Sequence, residues 1–359
     1  MAININWGIL GAGNISSQFV HDLCLSNEKG DNEVKHIVRS IGSSSKTKGQ
    51  AFIESNCINS MNNEGVIPNV QTYDEFFAND QIDVVYVGTP HPLHKDQVIQ
   101  ALENDKHVLC EKPFTINSAD ANEVIQLAKK KKRYLMEAVW TRFFPSITLL
   151  KKYIFEDKLL GKINRLFVDF AYDADIENLP VTSRLRDIKL GGGSLLDIGI
   201  YSITYARILL DNKVGTEAAE FRTKSFLTLD PVDKVDYTSS ILMKYADGKQ
   251  GILTCSNYTD GKEPFLRLEG SKGTLEIWAT NPACPKKFRI TFKDKSNPIE
   301  YEDNSGYNGF IYEADAVAKD IVSGNLENDT MPLSETLLVM KIMDGVREEN
   351  GLEYAEDKA

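Results

Sequence analysis

A lysine stands at the end of a predicted buried strand, in the segment Cys110-Glu111-Lys112-Pro113. In open parallel sheets, ligands bind beyond the carboxyl ends of the strands. A cation held there would stabilise negative charge that develops on a reacting oxygen. Thr89, Pro90 and His94 follow the neighbouring predicted strand and would border the same crevice. The alternatives are that Lys112 is an ordinary surface lysine and that His94 only holds its own loop.

A carboxylate and a phenol follow a second glycine-rich segment. Gly191-Gly192-Gly193 leads into a predicted helix, on which Asp197 and Tyr201 are four residues apart and so share one face. The two side chains would form either an acid/base pair for a bound molecule or a packing pair. The spacing by itself leaves both interpretations open.

A loop near the start of the chain has the spacing of a dinucleotide-binding turn. It reads Gly11-Ala12-Gly13-Asn14-Ile15-Ser16 and lies between the first predicted strand and the first predicted helix. Gly11 permits a tight turn, and Gly13 lets the backbone approach a pyrophosphate at the helix N-terminus. Ser16 takes the place of the third glycine and is small enough for helix and strand to pack. The residues expected to bind the cofactor here are Gly11, Ala12, Gly13, Asn14 and Ile15; the alternative is a tight turn without a ligand.

The end of the second predicted strand indicates which nicotinamide cofactor fits. NAD-binding folds carry an acid about 20 residues after the glycine loop, which binds the ribose 2′-hydroxyl. No acid occurs between Glu33 and Glu54, and Ser43-Ser44-Ser45-Lys46 stands there instead. Hydroxyls and an ammonium group bind a 2′-phosphate, which a carboxylate would repel. We therefore predict NADP; the alternative is a serine-rich loop selected for flexibility.

Strands and helices alternate through the first third of the chain, which predicts a doubly wound parallel sheet of the Rossmann type. The segment Ile82–Gly88 leaves no face polar enough for solvent, as expected of a strand buried on both sides. The other predicted strands are Asn6–Leu10, Val34–Ile41, His107–Glu111 and Tyr134–Glu137, and the predicted helices are Ile15–Leu25, Thr47–Ser55, Lys95–Asn104 and Ala119–Lys131. The polar inserts Asn27–Glu33 and Asn59–Asn69 are interpreted as surface loops.

Runs rich in β-formers, separated by turn signals, dominate the chain from about Gly161. Because consecutive strands are joined by short turns, we expect an α+β domain with a mostly antiparallel sheet. The predicted strands are Ile163–Ala171, Ala218–Leu229, Asp236–Tyr245, Gly251–Tyr258, Pro264–Glu269, Gly273–Trp278 and Phe288–Phe292, and the predicted helices are Ser194–Leu210, Ile311–Ser323 and Leu333–Glu349. The expected division is a cofactor-binding domain at 1–135 and a second domain at 136–359, with the final helix a candidate for packing back on the first domain.

Composition and charge restrict the class of protein. A chain of 359 residues suits two domains, and its net charge of −11 argues against nucleic acid or an anionic membrane as the main partner. No run approaches the ~20 apolar residues of a membrane span, and the first residues lack the pattern of a signal peptide. The five cysteines are scattered without a CxxC pair, which argues against a disulfide framework or a zinc site. We therefore expect a cytoplasmic protein without a metal, whose partner is a small molecule.

Three motifs together resemble the glucose–fructose oxidoreductase/inositol dehydrogenase family, Gfo/Idh/MocA. They are Trp7–Ile15, Glu111-Lys112-Pro113 and Gly192–Tyr201, and the resemblance runs over nearly the whole chain. Within the family, Met136–Pro145 is similar to the dimeric dihydrodiol dehydrogenases and the fungal NADP-dependent D-xylose 1-dehydrogenases, and Ser43–Lys46 resembles the fungal enzymes most. The chain departs from many relatives at Ser16, where they have alanine, and this hardly affects the cofactor prediction.

The resemblance implies a Rossmann domain followed by a domain with a large open sheet, through which dimers often form. It also implies that Lys112 and Tyr201 are catalytic and that Glu111 and Lys112 border the cofactor. A nearby cation and the oxidised nicotinamide favour the phenolate form of Tyr201, which would take the hydroxyl proton while hydride leaves the same carbon. Asp197 would orient the substrate hydroxyls or Lys112. The residues that the resemblance places at the substrate pocket are Trp140, Arg142 and Phe170.

The sequence therefore predicts an NADP-dependent dehydrogenase that acts on a CH–OH group of a sugar or polyol. The expected reaction is oxidation at C1 of an aldose such as D-xylose, which gives the lactone. One alternative within the family is a trans-dihydrodiol or dicarbonyl substrate. Another is a regulator that senses NADP or sugar without turnover, but such a protein would be expected to lose Lys112 or Tyr201, and both are present. The expected assembly is a homodimer.

Overall fold

A parallel sheet is built from the alternating segments of the first third of the chain. Its strands are β1 (Ile3–Leu10), β2 (Val34–Gly42), β3 (Asn69–Gln71), β4 (Val84–Val87), β5 (His107–Glu111) and β6 (Leu135–Ala138). In the computed structural model they pair in the order β3-β2-β1-β4-β5-β6. Every residue of β4 and β6 is buried, because these strands are covered on both faces. The order reverses between β1 and β4, so their carboxyl ends form the topological switch point at which such sheets bind ligands.

The structure describes residues 3–30, 33–56, 58, 62 and 65–358. Its α-helices within these ranges are α1 (Asn14–Lys29), α2 (Lys46–Ser55), α3 (Tyr73–Phe77), α4 (His94–Glu103), α5 (Ser118–Lys131), α6 (Pro145–Lys151), α7 (Ile200–Leu209), α8 (Phe310–Ser323) and α9 (Leu333–Asn350). No helix in the described ranges is both long enough and apolar enough to cross a lipid bilayer. The predicted α/β class is confirmed.

The first polar insert is partly helical, which corrects its interpretation as a loop. Residues 27–29 form the last turn of α1, and Gly30 then ends the helix in the left-handed conformation, with φ of 64°. In the second insert, residues 59–61, 63 and 64 lie outside the described residues, and Asn69 begins β3. β3 and α3 were not predicted, because each is too short to show a clear hydrophobic period.

A second sheet contains eight strands. They are β7 (Ile163–Ala171), β8 (Phe221–Leu229), β9 (Asp236–Tyr245), β10 (Gln250–Ser256), β11 (Leu266–Gly270), β12 (Gly273–Trp278), β13 (Lys287–Phe292) and β14 (Ile299–Glu302). Their order is β14-β13-β12-β11-β7-β10-β9-β8, and the pairs are antiparallel except for β7 with β10. The mostly antiparallel sheet is therefore confirmed. The unpredicted β14 is a four-residue edge strand with no buried residue.

Contacts divide the chain into two compact units. The first contains 1–115, 119–140 and 306–333, and the second contains 116–118, 141–305 and 334–359. The segment 306–333 therefore belongs with the parallel sheet, unlike in the expected division at residue 135. Its helix α8 joins α1 because the Asp22 carboxylate of α1 accepts the backbone N–H groups of Asn308, Gly309 and Phe310 at 2.7–2.9 Å. A carboxylate at a helix N-terminus satisfies donors that would otherwise be buried without partners. Most of α9 lies in the second unit.

Candidate active site

The loop after β1 has the geometry of a dinucleotide-binding turn. Gly11 has φ of +98°, and a Cβ added there would lie 2.8 Å from the carbonyl oxygen of Gly88, so the position requires glycine. Gly13 is the N-cap of α1 and provides no side chain to cap its N–H groups. Ser16 is fully buried, and its Oγ would lie 2.4 Å from a Cβ added at Gly88. The loops after β1 and β4 therefore meet at the switch point, and free N–H groups of α1 begin there.

The segment after β2 is a short polar loop that enters α2. Ser43 is buried and its Oγ has no hydrogen-bond partner among the described residues, whereas Ser44, Ser45 and Lys46 are exposed. Ser45 caps α2, and its hydroxyl accepts the N–H of Lys48 at 3.2 Å. The group thus offers hydroxyls, an ammonium group and a helix N-terminus to an anion.

One acid near this loop was missed by the sequence analysis. Glu75 lies on α3, and its pKa is lowered by hydrogen bonds from Thr72 and also by the charge of Lys46. The carboxylate belongs to a capping box with Thr72, which explains its presence at this end of the sheet. It is fully exposed, so water screens its effect on an anion bound at Lys46.

The lysine segment is held by a buried carboxylate beneath it. Glu111, at the end of β5, accepts the hydroxyl of Tyr86 at 2.6 Å and the backbone N–H of Lys112 at 3.3 Å. The Tyr86 ring stacks on Phe19 of α1 at 4.0 Å. Lys112 itself is half-buried, and the peptide bond to Pro113 is cis. The Glu111 carboxylate therefore holds the backbone N–H of Lys112 and fixes the position at which the chain leaves β5.

His94 joins the loops that follow β4 and β5. Its Nδ1 lies 2.9 Å from the carbonyl oxygen of Pro113, and its Nε2 lies 2.8 Å from that of Thr89. The ring is fully buried, and burial lowers the pKa of His94 despite these carbonyl contacts. Because both ring nitrogens face backbone oxygens, we interpret His94 as a structural tie between the two loops. Thr89 in turn donates to Gln97 of α4, and Pro90 is exposed.

The second unit presents the phenol and the carboxylate. Asp197 lies in a π-helical turn, Leu195–Gly199, and Tyr201 lies in the first turn of α7, so the predicted helix Ser194–Leu210 begins with a π turn. Both side chains are nearly buried. The Phe170 ring is 5.5 Å from that of Tyr201, centroid to centroid. Phe170 and Tyr201 thus form an aromatic surface next to the turn that carries Asp197.

Asp197 has two partners that the sequence analysis missed. The guanidinium of Arg184 approaches its carboxylate at 3.0 Å, and the Tyr172 hydroxyl donates to the same carboxylate. Burial and the charge of Asp197 raise the pKa of Tyr172 to about 12, so this phenol is a donor at neutral pH. The sequence carried only a weak signal for Tyr172. Because Tyr172 follows Phe170 by two residues, the two side chains lie on the same side of an extended chain.

The glycine-rich loop before Asp197 is anchored by the buried Asp236 of β9. The Asp236 carboxylate accepts the Ser194 hydroxyl at 2.6 Å and the N–H of Leu195 at 2.8 Å. The Tyr354 hydroxyl donates to the carbonyl oxygen of Gly192 at 2.6 Å. These contacts fix the start of the helix that carries Tyr201.

The structure places Trp140 and Arg142 in different units. Trp140 belongs to the first unit and stacks on Phe310 of α8 at 4.0 Å. Arg142 belongs to the second unit, where it is buried and donates to Glu335 at 2.6 Å. Glu335 also binds Arg207, so it faces two buried guanidinium groups. We therefore interpret Arg142 as part of a structural ion cluster, and its expected place in the substrate pocket remains a prediction.

Within the described ranges, no three His, Cys, Asp or Glu side chains lie close enough to hold a metal ion. The four described cysteines, at positions 24, 110, 255 and 284, are free thiols.

Both parts of the chain match models of one protein family. The model described as "Oxidoreductase family, NAD-binding Rossmann fold" (GFO_IDH_MocA) matches residues 5–139, and that of the GFO/IDH/MocA C-terminal domain matches residues 150–276. The D-xylose 1-dehydrogenase (NADP(+)) of Hypocrea jecorina is 29% identical over 98% of this chain and 93% of its own length. The trans-1,2-dihydrobenzene-1,2-diol dehydrogenase of Sus scrofa is 30% identical over 99% of both chains.

Solved structures share the fold at lower identity. A 3-ketoreductase from Actinomadura kijaniata, in complex with NADP and TDP-benzene, is 22% identical with a TM-score of 0.79 and covers 97% of this chain and 98% of its own. The aldose-aldose oxidoreductase of Caulobacter crescentus is 21% identical with a TM-score of 0.77 and covers 99% of this chain and 98% of its own.

Proposed function

Because the chain belongs to the GFO/IDH/MocA oxidoreductase family, we propose that it is an NADP-dependent dehydrogenase acting on a CH–OH group of a sugar or polyol. The observation that carries this proposal is the placement of Tyr201. Its phenol lies beside the Phe170 ring and four residues from Asp197, on a helix whose start Asp236 anchors. The first unit supplies the glycine turn of a dinucleotide site.

The residues present fit NADP. Gly11 permits the tight turn, and Gly13 lets a pyrophosphate approach the N-terminus of α1, where N–H groups have no side-chain cap. Ser43, Ser44 and Lys46 suit a 2′-phosphate, because the Ser43 hydroxyl is buried without a hydrogen-bond partner among the described residues and the other two are exposed. When bound, the nicotinamide accepts or supplies the hydride.

The side chains divide the remaining chemistry of the oxidation. Tyr201 takes the proton of the substrate hydroxyl as the C–H bond of the same carbon breaks, and it returns the proton in the reverse direction. Lys112 stabilises the negative charge that develops on that oxygen. Asp197 orients a substrate hydroxyl. For the C1 carbon of an aldose, the oxidation yields the lactone.

We favour an aldose such as D-xylose as the substrate. The relative from Hypocrea jecorina is named for this sugar and for NADP, and the serine and lysine loop after β2 suits that cofactor. A trans-dihydrodiol, after which the Sus scrofa relative is named, is the alternative outcome. A panel of pentoses, hexoses and dihydrodiols with NADP, followed by absorbance of the reduced cofactor, separates the two.

The catalytic assignment is tested by two substitutions and their combination. Tyr201→Phe removes the hydroxyl and keeps the ring, so kcat should fall roughly 10²–10⁴-fold while NADP binding, followed by fluorescence, persists. Lys112→Met should cause a loss of similar order, and the double variant should be little worse, because both residues serve one proton transfer. Tyr301→Phe, the same change on edge strand β14, is the control. Near-normal turnover by Tyr201→Phe would contradict the proposal and direct attention to Asp197.

We also propose that the protein is a homodimer formed through the second sheet. A cross-strand row on one face of this sheet contains Leu242, Ile252 and Phe167, with Arg267 next to Phe167. Leu242 is 54% exposed, and the Arg267 guanidinium lies 4.5 Å from the Phe167 ring centroid. An apolar row with a charged margin is typical of protein interfaces.

A further inference from the structure

The ion pair between Arg184 and Asp197 combines an exposed cation with a buried carboxylate. The two side chains approach to 3.0 Å, with 55% of the arginine side chain exposed and 8% of the aspartate side chain. Their charges support each other, since the charge of Asp197 raises the pKa of Arg184. The guanidinium therefore neutralises a buried carboxylate while about half of the arginine side chain stays accessible from solvent.

The segment that carries Arg184 is irregular but firmly held. Leu185, the next residue, is buried in a cluster with Ile176, Val235 and Tyr237. Its carbonyl oxygen accepts the N–H of Gly193 at 3.1 Å, which ties it to the glycine-rich loop. The backbone beside Arg184 is thus fixed against the loop that leads to Asp197.

Arg186 fixes the other side of this segment. Its guanidinium contacts both carboxylate oxygens of Asp233, at 2.6 and 3.1 Å, and donates to the carbonyl oxygen of Leu179 at 2.7 Å. Two arginines, two residues apart, therefore differ in role, because Arg186 binds the protein around it while Arg184 keeps half of its side chain in solvent.

Arg184 also lies on the same surface as the proposed proton carrier. Tyr201 contacts Phe170, Tyr172 follows Phe170 by two residues, and both Tyr172 and Arg184 bind Asp197. The strip therefore runs from the phenol of Tyr201 across two aromatic rings to a carboxylate and a guanidinium, all within the second unit.

We propose that Arg184 is a specificity-determining residue, whose guanidinium and the Asp197 carboxylate together bind two adjacent hydroxyls of the substrate. This inference rests on the proposed function. A carboxylate only accepts hydrogen bonds and a guanidinium only donates them, so the pair complements a vicinal diol, in which one hydroxyl donates and the next accepts. Arg184 has five N–H donors, and its exposed part leaves donors for a sugar while the contact with Asp197 is kept.

The pair also indicates the charge of the substrate. Because Asp197 balances the charge of Arg184, the two groups together favour a neutral polyol over a carboxylate or phosphate ester. A substrate without the second hydroxyl would leave the guanidinium without that partner. A hydrogen bond to a charged group contributes enough that its loss should reduce kcat/KM roughly 10- to 100-fold.

The test compares Arg184→Gln with the unmodified enzyme on matched sugars. The sugars are D-xylose and its 2-deoxy and 3-deoxy analogues. For each sugar we measure kcat/KM and the Kd with which the sugar binds the enzyme–NADP complex, and the Kd for NADP itself is measured separately. For the parent sugar, Arg184→Gln should lose roughly 10- to 100-fold in kcat/KM, mainly through KM. For one of the deoxy analogues, the kcat/KM of Arg184→Gln should stay within about threefold of that of the unmodified enzyme, because the hydroxyl that Arg184 binds is already absent from that sugar. The Kd for NADP should not change.

Two further variants separate this role from a structural one. Arg184→Lys keeps the charge without the planar fork and should recover only part of the loss. Arg289 of β13 is an arginine of similar exposure that pairs with Glu300 of β14 at 3.4 Å. Arg289→Gln should leave all of these values unchanged. Equal losses on the parent sugar and both analogues, unchanged values throughout, or the absence of sugar binding would each overturn the proposal. Because sugar binding is measured apart from turnover, an active Tyr201→Phe would contradict the proton-transfer assignment without altering this result.

Discussion

We propose that the side chains that follow β2 determine whether the first unit prefers the 2′-phosphate of NADP or the 2′-hydroxyl of NAD. The buried hydroxyl of Ser43 has no hydrogen-bond partner in the part of the chain that the structure describes, and such a hydroxyl costs free energy unless a ligand satisfies it. The exposed neighbours Ser44 and Lys46 add a donor and a positive charge. Together these residues suit a phosphate on the 2′ oxygen better than a bare hydroxyl.

We therefore expect kcat/KM to favour NADP over NAD by at least about tenfold. Ser44→Asp should shift this preference toward NAD, because a carboxylate repels the 2′-phosphate and accepts the 2′-hydroxyl. Asn122→Asp adds the same charge on the exposed surface of α5 and is the control. Steady-state kinetics with both cofactors measures the ratio, and equal use of NAD and NADP by the unmodified enzyme would refute the assignment.

At Trp140, the structure adds a packing role to the proposed contact with substrate. The side chain is 4% exposed and stacks on Phe310, so Trp140→Ala should lower the free energy of unfolding by about 3–5 kcal/mol. Trp140→Phe keeps most of the stacking and isolates the substrate role. It should raise KM for the sugar and leave the Kd for NADP within about threefold. If NADP binding weakens as much as sugar binding, Trp140 belongs to the cofactor site or the core.

At the scale of single elements, the start of the π turn before α7 depends on one carboxylate. Asp236→Ala would leave the buried Ser194 hydroxyl and the Leu195 N–H without their acceptor. We expect a loss of about 2–5 kcal/mol in the free energy of unfolding, measured by urea denaturation. Turnover should also fall, because the helix that carries Tyr201 loses its fixed start. If Asp236→Ala retained both its free energy of unfolding and its kcat, the π turn would not depend on the Asp236 carboxylate.

The ion cluster at the start of α9 gives a prediction with a pH dependence. Burial opposes the charge of Glu335, but Arg142 and Arg207 outweigh it and leave the pKa of Glu335 below its usual value. A carboxyl whose pKa is lowered on folding contributes stability that is present above its unfolded pKa and lost as pH falls through the folded value. Glu335→Gln should lower the free energy of unfolding by about 3–5 kcal/mol at pH 7, because it removes the charge of a carboxylate that two buried guanidinium groups share, although Arg207 keeps its ion pair with Asp211.

This difference in stability should narrow below about pH 4, where Glu335 is increasingly protonated in the unfolded chain of the unmodified protein. Denaturation curves of both proteins between pH 3 and pH 8 provide the measurement. A difference that stays constant over this range would mean that Glu335 does not carry the charge assigned to it.

At the scale of the whole molecule, the row on the second sheet predicts the assembly. Leu242→Glu puts a charge within the row and should shift sedimentation from dimer toward monomer. Val322→Glu places the same charge at an apolar side chain of similar exposure, 60%, on α8 and should leave the dimer intact. A monomer at all concentrations of the unmodified protein would dismiss the proposed interface.

Local patterns predicted most of the elements but few of the distant contacts. The apolar run of β4 and the glycine turn at Gly11 are signals carried by adjacent residues, and both lie where they were expected. The pairing of Arg142 with Glu335 joins residues 193 positions apart, and no period or spacing encodes it. Arg184 was missed for the same reason, because its partner lies across an irregular segment. The short β3 and β14 depend on their neighbours in the sheet rather than on their own composition.

The return of residues 306–333 to the first unit has a consequence for biosynthesis. Phe19 and Trp140 pack against Phe310. Because Phe310 lies late in the chain, it leaves the ribosome only after most of the chain has been translated. At about 5–20 residues per second, the delay after Trp140 is roughly 10 to 40 s. During that interval the rings of Phe19 and Trp140 lack the Phe310 ring against which they pack in the folded chain. An expression fragment that stops at residue 140 would leave these rings permanently without that partner, so the minimal cofactor-binding protein must be a fusion of two distant stretches of the gene.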